Sequence, residues 1–345
     1  MKTFQNVENI GLLRRRLTFA LPMLACGLVV PSVHAKSDVH QTSQTLMGTR
    51  VDLTLQGEDS SALTVAAVAA FVEMNRLADM MSRYRPTSVL NSINLMAGLQ
   101  PVSVPPELMT VLLMARQAGQ DSGGAFDSTV GSLRDWDFSA EHPSIPSAQR
   151  IATQLPLVNQ KTGLVLNERA GTAYLTQRGM RLDLGGIAKL PILQAGQRQL
   201  QTHGVINAMI NGGGDVLVMG QLNGKPWRVG LRDPLQPSKL LGVVALNEGF
   251  VAASGDYERF FMYKGRRFHH ILNPKTGYPS EGPHGVTLIS QQLELINGMG
   301  AALMVAGSNI GRTRIGNTPG LDALIVDANS NIWRSGGMVK YMARA

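Results

Sequence analysis

Apolar side chains recur at two different periods along this chain, and the two periods predict its elements. Residues 45–56 alternate apolar and polar around Met47-Gly48-Thr49, which predicts a strand. Residues 59–81 set Leu63, Val65, Ala66, Val68, Ala69, Phe71, Val72, Met74 and Leu77 at helical spacing. They predict a core helix, ended by Ser82-Arg83-Tyr84-Arg85-Pro86. A second helix is expected over Pro105 to Gly119, with proline in the first turn, where a missing amide costs nothing. Residues 134–160 carry Pro and Ser without a period and read as irregular. From 163 onward short strands dominate, at 163–166, 172–176, 181–184, 205–210, 216–219, 227–231, 242–246 and 284–290. Helices are expected at 187–203 and 292–307. This interleaving has no steady strand–helix–strand rhythm. The predicted fold class is therefore α+β, mixed sheets with packed helices, and not a doubly wound parallel sheet.

The first 35 residues stand apart from that fold. Residues 1–16 are polar and end in Arg14-Arg15-Arg16, and an apolar run follows to Val30, interrupted by Thr18 and Pro22. Val33-His34-Ala35 has the small-residue pattern of a cleavage site. The apolar run is short for a membrane span. An export signal is expected over 1–35, of the twin-arginine type from the arginines with Leu17 and Phe19. A Sec signal and a lipid anchor at Cys26 are the alternatives, although Met23-Leu24-Ala25 is a poor lipoprotein box. A periplasmic protein follows.

Cleavage takes four positive charges and one negative from the +8 chain, leaving 310 residues at +5 and no cysteine. Such a chain is indifferent to an oxidising compartment and long enough for one large domain or two intimately packed ones. Its basic residues are scattered, with Arg259, Lys264, Arg266 and Arg267 as the only local cluster. Few aromatics and no nucleic-acid motif argue against a nucleic-acid partner. The charge reads as a solvated surface that mildly favours an anionic ligand.

Candidate chemistry concentrates in a few segments. Arg181-Leu-Asp-Leu-Gly-Gly-Ile-Ala-Lys189 puts a carboxylate, a glycine pair and an ammonium within nine residues. Leu182 and Leu184 around Asp183 read as a strand end, and Gly185-Gly186 as the turn into a helix carrying Lys189. Amides freed at a helix start beside a lysine suit a diphosphate. Asn211-Gly-Gly-Gly-Asp215 interrupts two apolar runs, and three glycines suggest close approach of something to the backbone. Asp127-Ser128-Thr129 reads as a ligand segment or as a plain helix cap. Ser254-Gly-Asp-Tyr-Glu-Arg259 reads equally as a surface turn. His269-His270 ends a strand before Asn273-Pro274, and a histidine there suits a base for a hydroxyl or a structural role.

Together these pieces resemble one family. Met47-Gly48-Thr49, Ser82-Arg-Tyr-Arg85, Ala125-Phe126-Asp127, Asp183 to Lys189, Asn211 to Asp215, Ser254 to Tyr257 and His270-Ile-Leu-Asn-Pro-Lys-Thr-Gly277 look like the ordered motifs of the ApbE family, the FAD:protein FMN transferases. The resemblance covers residues 43–343. It implies a two-lobed single domain with FAD in a cleft and Mg²⁺ on the diphosphate. It further implies FMN transfer to a Thr or Ser hydroxyl of an exported or membrane-anchored electron-transfer flavoprotein, releasing AMP. Carried over by position, Met47, Tyr84, Ala125, Phe126, Asp127 and Ile271 line the flavin and adenosine. Asp183 and Lys189 hold the nucleotide, with Lys189 on the diphosphate. Gly186 offers a backbone metal contact, and His270 activates the acceptor hydroxyl.

The departures fall in one place. The family's metal-binding Asp is Asn297 here, its Thr is Ala301, and its occasional second Asp is Gly300. The usual Gly-Tyr-Ala-Val-Asp after the lysine is Leu190-Pro191-Ile192-Leu193-Gln194, and the usual acid before Pro274 is Asn273. Because Mg²⁺ prefers charged oxygen ligands, FAD binding is expected to be better preserved than metal-dependent chemistry. The alternative expectation is a flavin-binding relative that is catalytically weak or inactive.

Overall fold

Eight antiparallel strands carry the molecule, and their order across the sheet is their order along the chain. The computed structural model describes residues 38–139 and 141–343. The export signal expected over 1–35, with Cys26, lies outside the described residues. The strands are β1 (Asp38–Leu46), β2 (Thr49–Gly57), β3 (Asn207–Gly212), β4 (Asp215–Met219), β5 (Glu248–Gly255), β6 (Gly285–Ser290), β7 (Asp322–Val326) and β8 (Ile332–Arg334). Each pairs antiparallel with the next. A meander with helices inserted in its connections is an α+β architecture, as the sequence predicts.

The connection from β2 to β3 holds α1 (Ser60–Met80), α2 (Val89–Leu95), α3 (Pro106–Asp121) and α4 (Lys189–Thr202). The Asp59 carboxylate accepts the amides of Ser61 and Ala62 and so caps α1. One face of α1 buries Leu63, Ala66, Ala67, Ala70, Phe71, Met74 and Leu77. It packs on α4, where Gly196 leaves room for Met74. Val65, Val68 and Val72 share the apolar run but stay more than half exposed, because a helical period buries only one stripe. The sheet's other face meets a smaller apolar cluster. There Val216, Val218, Val251 and Ile289 pack with Trp227, Val229 and Val244 of a two-stranded ribbon. Strand β4 is consequently buried on both faces.

Four predicted elements come out differently. The strand over 45–56 is a hairpin of β1 and β2, turning at Met47 and Gly48 with φ of 54° and 72°. Two positive φ values in a two-residue turn match the right-handed twist of its strands. The helix over 292–307 breaks into Leu293–Ile296 and α5 (Met299–Ala306), because Asn297 is extended and Gly298 has a φ of 75°. The irregular stretch 134–160 contains a helix at Ala148–Gln154, capped by Ser147. Residues 181–184 make one isolated bridge, Val130 to Arg181, and no ladder.

Candidate functional site

The segment 181–183 makes no ladder beyond its single bridge to Val130, and side chains satisfy the backbone of Arg181 and Leu182 instead. Asn94 of α2 accepts the Leu182 amide (2.7 Å) and donates to the Leu182 carbonyl (3.2 Å). The amide of Arg181 donates to Ser132 Oγ (2.9 Å), and that of Asp183 to the Ser128 carbonyl (2.7 Å). Asp183 is thereby held at the mouth of the glycine turn, where its Oδ1 accepts the Gly185 amide at 2.8 Å. Its Oδ2 pairs with Arg83 Nη1 at 3.2 Å. The Arg83 guanidinium in turn lies 4.7 Å from the centre of the Tyr84 ring.

These groups form one wall of a cavity of about 320 Å³. Arg83, Tyr84, Arg181 and Asp183 line it together with Arg134, Trp136, Asp137, Phe138, Arg259 and His270. Trp136 stacks on Phe138, ring centres 5.5 Å apart, and its Nε1 donates to the Gly277 carbonyl (2.9 Å). That bond ties the aromatic wall to the Lys275-Thr276-Gly277 turn. Four arginines that lie far apart in sequence converge here. Sequence reasoning missed them as a set and read scattered bases as solvated surface, because no two of the four are sequence neighbours.

The two adjacent histidines have different tasks. His269 is buried, its Nε2 donating to the Ser280 carbonyl (2.9 Å) and its Nδ1 accepting the Ile271 amide (3.3 Å). Both ring nitrogens therefore tie the hairpin of Phe260–Tyr263 and Arg266–His269 to the next loop. Burial holds this imidazole below its usual pKa. His270 reaches the cavity. Its Nδ1 lies 3.3 Å from the Arg259 carbonyl, and a carbonyl only accepts, so the proton sits on Nδ1 and Nε2 keeps its lone pair. Desolvation first, and then the Arg259 charge, push this group down to about 4, so the imidazole is neutral at physiological pH.

The remaining expected site residues lie outside this cavity wall. Phe126 is buried, its ring against Gly186 and Gly298. Asp127 accepts the amides of Thr129 and Gln160, one per oxygen (2.8 and 2.9 Å), so its carboxylate organises its own loop. Ala125 and Met47 are partly buried against the main core, and Ile271 is buried beside His269. Lys189 opens α4, as the glycine turn predicts, but its Nζ pairs with Asp215 at 2.8 Å. The three glycines before Asp215 also find an internal reason. Gly213 and Gly214 turn β3 into β4 with φ of 67° and 100°, and Thr49 fills the space a side chain at Gly213 would need. Asp256 is likewise structural: buried, it pairs with Arg267 (2.6 Å) and His284 (2.8 Å).

A Cβ built on Gly186 would lie 3.6 Å from the Ala301 methyl and 3.4 Å from the Phe126 ring. Asn297 is buried nearby in the chain, its Nδ2 donating to Met114 Sδ at 3.5 Å. This donor set offers a backbone carbonyl, a neutral amide and a methyl group, which does not fit a hard dication that seeks charged oxygens. Among the described residues, no group of three or more His, Cys, Asp and Glu is arranged to hold a metal.

The model of the ApbE family matches residues 47–325 of this chain. An FAD:protein FMN transferase of Klebsiella pneumoniae (strain 342) is 33% identical over 255 residues, covering 73% of this chain and 78% of that protein. One of Treponema pallidum (strain Nichols) is 27% identical over 339 residues, covering 92% and 93%. The crystal structure of the ApbE protein from Thermotoga maritima superposes with a TM-score of 0.82 at 29% identity, covering 88% of this chain and 99% of that one. The flavin transferase ApbE from Vibrio cholerae superposes at 0.76 with 24% identity and the same coverage.

Proposed function

The chain belongs to the ApbE family, and from that premise we propose that it is an FAD:protein FMN transferase working in the arginine-lined cavity. The observation that carries this reading is the meeting of Tyr84, Asp183 and His270 at one cationic cavity. The acceptor is a Thr or Ser hydroxyl on an exported or membrane-anchored electron-transfer flavoprotein. Its oxygen forms a bond to the phosphorus that carries the FMN half of FAD. The bond from that phosphorus to the bridging oxygen breaks, and AMP leaves with the electron pair. The hydroxyl proton passes to His270 Nε2, whose lone pair the Arg259 carbonyl keeps available. Such a transfer relies on in-line placement and charge neutralisation more than on covalent chemistry.

Tyr84, which lines the cavity, is assigned to the flavin; the family resemblance also assigns Met47, Ala125, Phe126, Asp127 and Ile271 to the flavin and adenosine, although they lie outside the cavity wall. Asp183 sets Arg83 and the glycine turn around them. Export over residues 1–35 places the reaction in the periplasm, with the mature chain beginning at Lys36. The deciding experiment incubates the mature protein with FAD and candidate acceptor domains, and follows FMN mass on the acceptor together with free AMP. Flavin binding without transfer to any acceptor would instead make the chain a flavin carrier. N-terminal sequencing of periplasmic protein tests the export assignment, and an intact Met1 there would overturn it.

A further inference from the structure

Two sources of positive charge were expected at the diphosphate, a lysine and a metal ion, and the residues present weaken both. Lys189 is neutralised by Asp215 at 2.8 Å. The position of the family's metal-binding Asp holds Asn297, turned to a methionine sulfur, and Ala301 carries no donor at all. A diphosphate nevertheless needs neutralising before an alcohol can attack it. The cavity carries the charge that the metal position lacks. Arg181 and Arg259 form no ion pair with any described residue. Arg259 shares the cavity with Asp137, whose Oδ1 accepts the Ser139 amide at 2.8 Å and whose charge Arg259 offsets only at a distance, outside ion-pair range. Arg134 lies 4.0 Å from Asp135, which Arg150 holds more closely at 2.6 Å.

We propose that in this chain Arg181 and Arg259, supported by Arg134, take over the neutralisation of the flavin nucleotide's phosphates, so that binding does not require a divalent cation. Guanidinium groups suit this task, since each presents a planar fork of donors that matches phosphate oxygens and stays charged at every working pH. Their placement agrees with the chemistry at His270, because the Arg259 main chain fixes the imidazole while its side chain faces the same cavity. Asp183 keeps Arg83 from adding a further unpaired charge.

The inference rests on the transferase reading, and titration calorimetry of the mature protein separates the two. FAD, FMN and riboflavin are titrated with EDTA present and again with excess Mg²⁺. The expected result is FAD affinity that agrees within about threefold between the two conditions. Arg259→Gln and Arg181→Gln should each weaken FAD and FMN about ten- to a hundredfold. Riboflavin, which has no phosphate, should be unaffected, Arg259→Lys should recover part of the loss, and Arg50→Gln on the surface should change nothing. The wild-type comparison needs no variant, so a misfolded mutant leaves it intact. FAD binding that appears only with Mg²⁺ overturns the inference and leaves the transferase reading standing. Equal losses for riboflavin and FAD in the variants also overturn it, since that marks a structural effect. Absence of flavin nucleotide binding in both conditions overturns both readings.

Discussion

The cavity around His270 and the glycine–alanine pocket around Gly186 belong to one expected ligand site but are built on opposite principles. The cavity gathers four arginines, two carboxylates and a stacked indole with space between them. Gly186 instead sits against a phenyl ring and a methyl group, with a neutral amide where the family carries an acid. One region carries charge and leaves room for a ligand, while the other is neutral and closely packed. The difference teaches that charge and close packing can be divided between two walls, so that a wall without charged oxygens can lie in the same protein as a strongly cationic one.

The largest effect should come from the charged region. His270→Ala is expected to slow AMP release in single turnovers by about 10² to 10⁴ while leaving FAD affinity within about threefold. A loss of affinity with unchanged rate would make His270 a binding group and blur the contrast. Next comes the scaffold beneath it. Asn94→Ala orphans a buried amide and a buried carbonyl at Leu182, at about 1–3 kcal/mol each. Urea unfolding should show the loss, and an unchanged midpoint would mean that water replaces both bonds. Smaller effects are expected where charge is already satisfied. Lys189→Ala should weaken FAD less than about tenfold, below either arginine variant, and a larger loss would return the lysine to the phosphates. Asn297→Asp with Ala301→Thr should make FAD affinity respond to Mg²⁺ by a few-fold, roughly what one charge-assisted contact contributes.

The smallest effect is a flat response to pH. Burial pushes His270 down to about 4 in the folded protein, against about 6.5 for a solvated imidazole in the unfolded chain. The transfer rate at pH 5.5 should therefore stay within about twofold of that at pH 7.5. Stability has the opposite sensitivity. Between those two values the unfolded chain binds the proton more readily, so this histidine's contribution is complete above 6.5 and declines as pH falls toward 4. An acid limb of the rate near 6.5 would show that the imidazole is solvated in the working enzyme.

What the sequence made legible follows from range. The amphipathic period of α1 and the apolar runs of β3, β4 and β6 are local patterns, and each became the expected element within a few residues. The family resemblance rests on motif order and likewise survived the fold comparison. Asp183 and His270 were legible as chemistry, and so was their likeness to a known series. The arginine wall was not, because Arg83, Arg134, Arg181 and Arg259 carry no shared spacing and meet only through the fold. The strand expected over 181–184 failed for a related reason: alternation reports which side chains are buried, while the backbone's partner here is an asparagine from α2. The break at Asn297-Gly298 was hidden inside a continuous apolar run.

That asparagine has a consequence for how the site comes into being. Asn94 and Leu182 lie 88 residues apart, so the clasp closes a long loop and carries its entropy. The β1–β2 and β3–β4 hairpins need no such closure and can pair early. Asp183 has its own bonds to Ser128 and Arg83, but the residue before it is clasped only when α2 docks. Amide exchange at Leu182 therefore reports the docking of a seven-residue helix and not the opening of the sheet. A protein could keep every strand of its meander and still, for as long as that helix is away, lack one side of the cavity that Asn94 and Leu182 line.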